Sequence, residues 1–368
     1  MTGNEINDFS ESEKCPAAEC HPVTVAVIIP TKDRPEFLEE AIGSALHQSH
    51  APIEIIVVDD GSIIPVDGTR LRECYGPTIH VLRNEQPRGL AYSRNQGVEK
   101  AIAEYVIHLD DDDLLARDAI EQCSAVLRDF SDVDMVMFAA EGFGPNSDHF
   151  NRVQSEGVKH IIRLGKGNEV RPHVVSFGRD LFPALLRRVP IAFQRVMSRK
   201  VIWQSVCQLR WDVYCLDPSV PDEDAAKINI IGPLRDSEWA RYASLVCQRT
   251  ALVDRPLYLQ RCAGQGYSSQ LANQQLHMLQ GIEILRHLDQ GAGKVSALAK
   301  WKLEIRRALA RNYFDAAYQL HNSGDRSGGW QFLKQAMSIR MELKYLKLAV
   351  RIWLAKYSDV RGAKSKFK

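Results

Sequence analysis

The sequence predicts an α/β fold, a doubly wound and mostly parallel sheet followed by an α-helical C-terminal region. Three observations carry this. Five short runs, VTVAVIIP (23–30), IEIIVVDD (53–60), TIHVLRN (78–84), YVIHLDD (105–111) and DMVMFAA (134–140), are rich in Val and Ile and almost continuously apolar. Such runs are strands covered on both faces. Segments of helical periodicity separate them, the alternation that parallel crossovers produce. From Gln270 onward proline all but vanishes, and Leu, Ala, Gln, Arg and Lys recur at helical spacing.

Taken in order, residues 1–22 are polar and acidic, with neither a basic start nor an apolar stretch. They read as a disordered tail without a secretory signal. Pro35 suits the first position of a helix, and Phe37, Leu38, Ala41, Ile42, Ala45 and Leu46 share one face of it until Pro52 stops the pattern. Further crossover helices are expected over Ser93–Glu104 and Arg117–Phe130. Residues 141–190, with Gly142, Gly144, Gly165, Gly167 and Gly178, read as an irregular excursion, and a mixed segment runs on to 269. Within the C-terminal region, NYFDAAYQLHNSGDRSGGWQFLKQAMSI (312–339) looks like a single tetratricopeptide-type helix pair. One copy cannot bury its own face and must pack on something else.

The chain has 368 residues, enough for about two domains. Its 47 Lys plus Arg against 46 Asp plus Glu leave a net charge of +1, which excludes the basic footprint of a nucleic-acid binder. No apolar run approaches the roughly 20 residues of a membrane span. Eight cysteines stand singly, at positions 15, 20, 74, 123, 207, 215, 247 and 262. They read as reduced thiols of a cytoplasmic protein. Cys15, Cys20 and His21 have no fourth ligand nearby and read as incidental.

The chemistry gathers where strands end. Asp33 follows the first, Asp59 and Asp60 close the second, and Asp110, Asp111, Asp112 and Asp113 close the fourth. Ligands of doubly wound sheets bind at these carboxyl ends. Four consecutive carboxylates leaving a buried strand repel one another and lose hydration, so they protonate or meet a cation. Hard oxygen donors suit Mg²⁺ or Mn²⁺. The ordinary alternative is a solvated acidic turn. His108, alone within its strand, reads as a core residue.

The segments VAVIIPTKDRPEFLEEAI, IEIIVVDDGS, the stretch from Asn84 through GLAYSRNQG, and VIHLDDDDLL resemble, in that order and spacing, the nucleotide-binding half of the family 2 glycosyltransferases, which have the GT-A fold. The resemblance covers residues 23–140, continues more loosely to 269, and says little about 270–368. It implies a nucleotide-sugar-binding half at 23–140 and an acceptor-binding half at 141–269. It implies that Pro30, Thr31 and Asp33 line the base and ribose pocket, with Asp59 facing the nucleobase and Asp60 the ribose. Turn and cap chemistry is the alternative for Thr31, Asp33 and Asp60. Arg94 is implied at the nucleotide or holding the acidic loop, and Ser93, which stands where the family has Ala, reads as an N-cap. The D-x-D pattern of the family maps onto Asp110 and Asp112. Asp112 is then the metal ligand and Asp110 meets the ribose hydroxyl or the metal, with Asp111 and Asp113 second to them.

On the acceptor side the family's E-D-x-E-like motif maps onto GPLRDSEWARYASL (232–245), with Arg235 in place of the usual Glu. The register implies Asp236 as catalytic base, Glu238 if it slips, and Trp239 against a sugar face. A plain helix start is the alternative. RPLYLQRCAGQGYSS (255–269) resembles a strand and a closing loop, with Arg261 meeting phosphate and Gly264 and Gly266 giving the loop its freedom. PIAFQRVMSRKV (190–201) resembles the approach to the acceptor floor.

The resemblance therefore implies an inverting, metal-dependent glycosyltransferase of hexosyl type. It would move a sugar from a nucleotide-diphosphate donor, UDP favoured, to a glycan or lipid-linked glycan hydroxyl in bacterial surface polysaccharide assembly. The competing class is an inactive glycosyltransferase-like binding or assembly module. The segment from Met341, basic and interleaved with Leu346, Leu348, Ile352, Trp353 and Leu354, suggests peripheral contact with the inner leaflet of the plasma membrane, against the alternative of a packed terminal helix.

Overall fold

A computed structural model describes residues 23–187, 195–209, 235–262 and 271–365. The expected tail at 1–22, with Cys15 and Cys20, lies outside them, as do Gln194, Gly264 and Gly266. Strands β1 (Val25–Thr31), β2 (Glu54–Asp59), β3 (Ile79–Arg83) and β4 (Tyr105–His108) are the first four apolar runs. They pair in parallel in the order β3-β2-β1-β4. The register sets Thr31 opposite Asp59 and Ile28 opposite His108. Both faces of β1 and β2 are buried, as their unbroken apolar runs require.

Helix α1 (Pro35–Leu46) starts on the expected proline and buries Leu38, Ala41, Ile42 and Ala45. Helix α2 (Gly68–Tyr75) is capped by the Asp67 carboxylate, which accepts the Thr69 and Arg70 N–H groups. Helix α3 spans Leu90–Lys100, a turn earlier than its pattern suggests, because Gly89 at φ 88° supplies the cap. Ser93 is thus no N-cap but a buried residue inside the helix. Short β5 (Leu114–Leu115) and helix α4 (Ala119–Asp129) lead to β6 (Val133–Phe143).

The 141–190 segment is more regular than its glycines imply. It holds α5 (Ser147–Leu164), an antiparallel hairpin of β7 (Asn168–Arg171) and β8 (Val174–Phe177), and the short α6 (Leu181–Leu185). Gly144 and Gly165 flank α5 rather than break it. β9 (Val196–Arg199) then enters antiparallel between β4 and β6. Helices α7 (Lys200–Leu209) and α8 (Arg235–Val246) precede β10 (Arg249–Arg261), which runs parallel to β6, antiparallel to β8 and antiparallel to β5. Among the described residues these ten strands form one sheet, β3-β2-β1-β4-β9-β6-β10-β8-β7, with β5 beside β10.

The C-terminal region is helical, as expected: α9 (Leu271–Gly291), α10 (Ser296–Ala299), α11 (Lys302–Asn322), α12 (Arg326–Ile339) and α13 (Leu343–Ser365). α11 and α12 form the anticipated pair, with the Asp325 carboxylate accepting the Gly328 N–H at the turn. The pair does pack on something else. Leu288, Ile305, Leu333 and Tyr345 share a continuous core with Phe182 and Leu185 of α6, Tyr242 of α8 and Leu252 of β10. Burial of that much apolar surface ties the helices to the sheet.

Candidate active site

The carboxyl ends of β1, β2 and β4 meet at one edge of the sheet. There the Asp60 N–H donates to the Thr31 carbonyl at 2.9 Å, and the Leu109 N–H to the Ile28 carbonyl at 3.0 Å. Pro30 is buried in β1, opposite Val58. The three aspartates expected around the nucleotide are engaged by their own loops. Asp59 is fully buried and accepts the Ser62 N–H (2.9 Å), the Val66 N–H (3.1 Å) and the Arg83 guanidinium. Burial pushes its pKa up, but these donors outweigh burial and hold the carboxyl below its ordinary range. Asp60 accepts the Arg88 and Gly89 N–H groups at 2.8 and 2.7 Å and the Asn84 amide at 2.9 Å, fastening the turn into α3. Asp33 sits at a left-handed φ of 56°; it accepts the Ile63 N–H at 2.7 Å and donates its own to Ser62 Oγ. These bonds tie the β1–α1 and β2–α2 loops together. Between those loops lies a cavity of about 460 Å³, lined by Thr31, Asp33, Arg34, Ser62, Ile63 and Asp67 among others.

Beside it runs the acidic loop. Asp111 accepts the Thr31 hydroxyl at 2.7 Å and Arg34 at 3.1 Å; burial and its acidic neighbours push its carboxyl up to about 6 despite them. Asp113 is more deeply placed, accepting the Tyr258 hydroxyl at 2.9 Å and the Arg261 N–H at 2.7 Å. Burial, then the Asp110 charge, lifts it well above the carboxylate range. Asp110 and Asp112 are the two that reach solvent, their side chains 24% and 37% exposed. Asp110 meets the buried guanidinium of Arg94 at 2.6 Å, and Asp112 meets Arg34 at 2.8 Å. Burial and Asp110 also raise Asp112.

Guanidinium groups from three places in the chain, Arg34, Arg94 and Arg261, meet this run of carboxylates. Arg94 comes from α3 and holds the loop, one of the two roles expected of it. Arg261 ends β10, where its Nε donates to the Asp112 carbonyl at 2.9 Å and its Nη2 reaches Glu40 at 2.7 Å. Its guanidinium lies between the Phe37 and Phe143 rings. Arg34 was missed in the sequence, although its position just ahead of α1, beside Asp33, was the available signal. Tyr258 was missed because nothing local marks a strand tyrosine as the partner of a carboxylate 145 residues away.

Among the described residues no three His, Cys, Asp or Glu side chains converge as a metal cage. The donor chemistry still fits a hard divalent ion: two solvent-reaching carboxylates two residues apart on one loop, the rest of the shell left to phosphate oxygens and water, as Mg²⁺ and Mn²⁺ prefer.

In the segment expected to serve the acceptor, Asp236 lies in the first turn of α8. Glu238 is 4% exposed and bonds His287 Nδ1 of α9 at 3.0 Å, so it faces the helical region. The Trp239 ring lies tilted against Trp203 at 4.7 Å between centroids, and Trp203 lies tilted against His108 at 4.8 Å. His108 is buried and its pKa lies well below the usual value through desolvation, then through the Arg94 charge, so it is the neutral core residue expected.

A mixed sheet with an acidic loop at the carboxyl ends of its parallel strands has counterparts among known proteins. Residues 26–205, just under half of the chain, match the model of Glycosyl transferase family 2. TuaG of Bacillus subtilis (strain 168), a glycosyltransferase provisionally named for teichuronic acid biosynthesis, is 38% identical over 102 residues, 27% of this chain and 39% of TuaG. An uncharacterized glycosyltransferase of Rickettsia felis is 28% identical over 184 residues, 50% of this chain and 27% of that protein. The chain spans about a quarter of the length of the first such relatives. The crystal structure of S. aureus TarS 1-349 superposes with a TM-score of 0.53 at 15% identity, covering 94% of this chain and 92% of that one. That likeness is one of fold, and it extends into the C-terminal helices.

Proposed function

We propose that the chain is an inverting glycosyltransferase that moves a sugar from a nucleotide-diphosphate donor, UDP favoured, to a hydroxyl of a glycan or lipid-linked glycan in bacterial surface polysaccharide assembly. The observation that carries this is the pairing of solvent-reaching Asp110 and Asp112 with the cavity between the β1–α1 and β2–α2 loops, at the edge where ligands of such sheets bind. UDP is favoured because TarS 1-349 has been crystallised with UDP-GlcNAc. The name of TuaG supports the polysaccharide setting. Free thiols at Cys74, Cys123, Cys247 and Cys262 accord with the cytoplasm. Among the described residues no helix is long and apolar enough to cross a membrane.

In this reading Pro30, Thr31 and Asp33 border the base and ribose, and Asp59 and Asp60 act by shaping the loops that do so. Asp112, with Asp110, would hold Mn²⁺ or Mg²⁺, which when bound supplies Lewis-acid neutralisation of diphosphate charge. Arg34, Arg94 and Arg261 keep the loop from flying apart, and Arg34, half exposed, is free to trade Asp112 for phosphate. Asp236 takes the proton from the acceptor hydroxyl, whose oxygen attacks the anomeric carbon. The bond to the diphosphate breaks on the opposite face and the pair leaves with the phosphate, which inverts the centre. The base is assigned to Asp236 and not to Glu238 because Glu238 is buried against His287. General-base help is worth about 10² to 10⁴ in rate.

The test is calorimetry of UDP, dTDP and GDP with and without Mn²⁺, on the native chain and on Asp112→Ala. Metal-dependent binding of one nucleotide, abolished in the variant, upholds the donor site. The second reading, a binding module without activity, is favoured by Arg235 at the place of the family's Glu. It gains if a nucleotide binds but no donor sugar is transferred or hydrolysed.

A further inference from the structure

The last helix carries two apolar stripes, and only one is used by the fold. Tyr345, Leu348 and Ile352 of α13 are buried, with Phe314 of α11 stacked 4.9 Å from Tyr345. Rotated from them, Leu343, Leu346, Val350, Trp353 and Leu354 are 69, 46, 54, 55 and 55% exposed. At about 100° per residue these five fall within roughly a 100° arc of the helix. Met341, just ahead, is 61% exposed. Six of the seventeen exposed large hydrophobic side chains among the described residues thus fall between 341 and 354. Lys344, Lys347 and Arg351 border the same arc on one side.

The charge that the sequence carries in this last segment says what covers the stripe. Residues 341–368 hold eight Lys or Arg against Glu342 and Asp359, a formal +6 in a chain whose net charge is +1, leaving −5 on the rest. An anionic surface would attract this helix and repel the remainder, which fixes orientation as well as contact. A second copy of the chain fits poorly. The stripe is about 18 Å long and roughly 10 Å wide, near 200 Å² per copy against the roughly 800 Å² per partner of a stable pair, and it would set the same cations against each other. We infer that α13 is an interfacial helix that lays Leu343, Leu346, Val350, Trp353 and Leu354 into the headgroup region of an anionic lipid bilayer, with Lys347 and Arg351 on its phosphates. This goes beyond the donor-site reading and does not depend on it.

The experiment is co-sedimentation of the full chain with phosphatidylcholine vesicles, with and without phosphatidylglycerol. The variants are Leu346→Glu with Val350→Glu, and separately Lys347→Glu with Arg351→Glu. All four side chains point to solvent, and melting temperature checks that each variant folds. The expected result is at least about tenfold stronger partition onto the anionic vesicles, lost at about 0.5 M salt. The apolar pair abolishes it, and the charge pair weakens it about tenfold or more. Equal partition onto both vesicle types, or binding untouched by both pairs, overturns the inference. So does a self-associating chain that ignores vesicles and turns monomeric with Leu346→Glu and Val350→Glu. None of these outcomes bears on nucleotide binding, so the two readings fail separately.

Discussion

Helix α3 lies so close to the central strand that Gly97 decides its distance. A Cβ built on Gly97 would stand 2.4 Å from Ile28 Cγ2, over 1 Å inside the roughly 3.5 to 4.0 Å at which carbons rest. Ile28 is fully buried in β1 and has nowhere to yield. Gly97→Ala should gain about 1 kcal/mol of helix propensity and lose about 1 to 3 kcal/mol to overpacking. Given the depth of overlap, the net is a loss of about 1 to 2 kcal/mol. Ile28→Ala removes the offending methyl and alone costs about 2 to 5 kcal/mol. In that background Gly97→Ala meets no clash, and its effect should reverse to a gain of about 1 kcal/mol. The coupling, about 2 to 3 kcal/mol, is what a double-mutant cycle in urea reads. Because Arg94 rides on the same helix, nucleotide binding should weaken in Gly97→Ala and recover in part in the double variant. A stabilising Gly97→Ala in the native background, or no change of sign with Ile28→Ala, would refute the packing described.

Other expectations follow from single contacts. Arg94→Met leaves Asp110 without its 2.6 Å partner among three other carboxylates; a loss of about 2 to 3 kcal/mol is expected by denaturation, together with weaker nucleotide binding. Asp112→Ala, in contrast, should leave the melting temperature unchanged or higher, since it relieves repulsion in the loop, while Mn²⁺-dependent nucleotide binding is lost in calorimetry. Asp325→Ala removes the cap between α11 and α12 and should cost about 1 kcal/mol in thermal melts, with donor binding unaffected. His287→Ala strips Glu238 of its partner from α9; stability should fall by about 1 to 2 kcal/mol, and a fall in transfer rate without change in nucleotide affinity would tie α9 to the acceptor side.

Much of this molecule was legible in its sequence because the informative patterns are local. Near-continuous Val and Ile runs can only be doubly covered strands, and β1 to β4 and β6 follow. Pro35 begins α1, and the Gly324–Asp325 turn splits α11 from α12. Where several glycines occur together they were misleading: Gly144 and Gly165 mark the ends of α5, whose length a count of glycines hides. β9 was not legible, since four residues carry no periodicity and its partners lie more than 50 residues away. At the site, the run of aspartates announced itself, but their division of labour did not. That Asp111 and Asp113 are inward while Asp110 and Asp112 are outward depends on Thr31, Tyr258 and Arg261, side chains brought together by the sheet.

The antiparallel β9 also sets the order in which the protein can be finished as it leaves the ribosome. Among the described residues β4 and β6 are paired into the sheet only through a strand made some 50 residues after the end of β6, so the growing chain carries two open edges facing a gap. Each is an invitation to pair with the wrong strand. A nascent chain arrested near residue 187 should be held by chaperones or aggregate, whereas one carried past 209, with β9 and α7 in hand, can close the gap. Arrest at stepped lengths, followed by limited proteolysis, would show protection of β4 and β6 appearing together and only after residue 199.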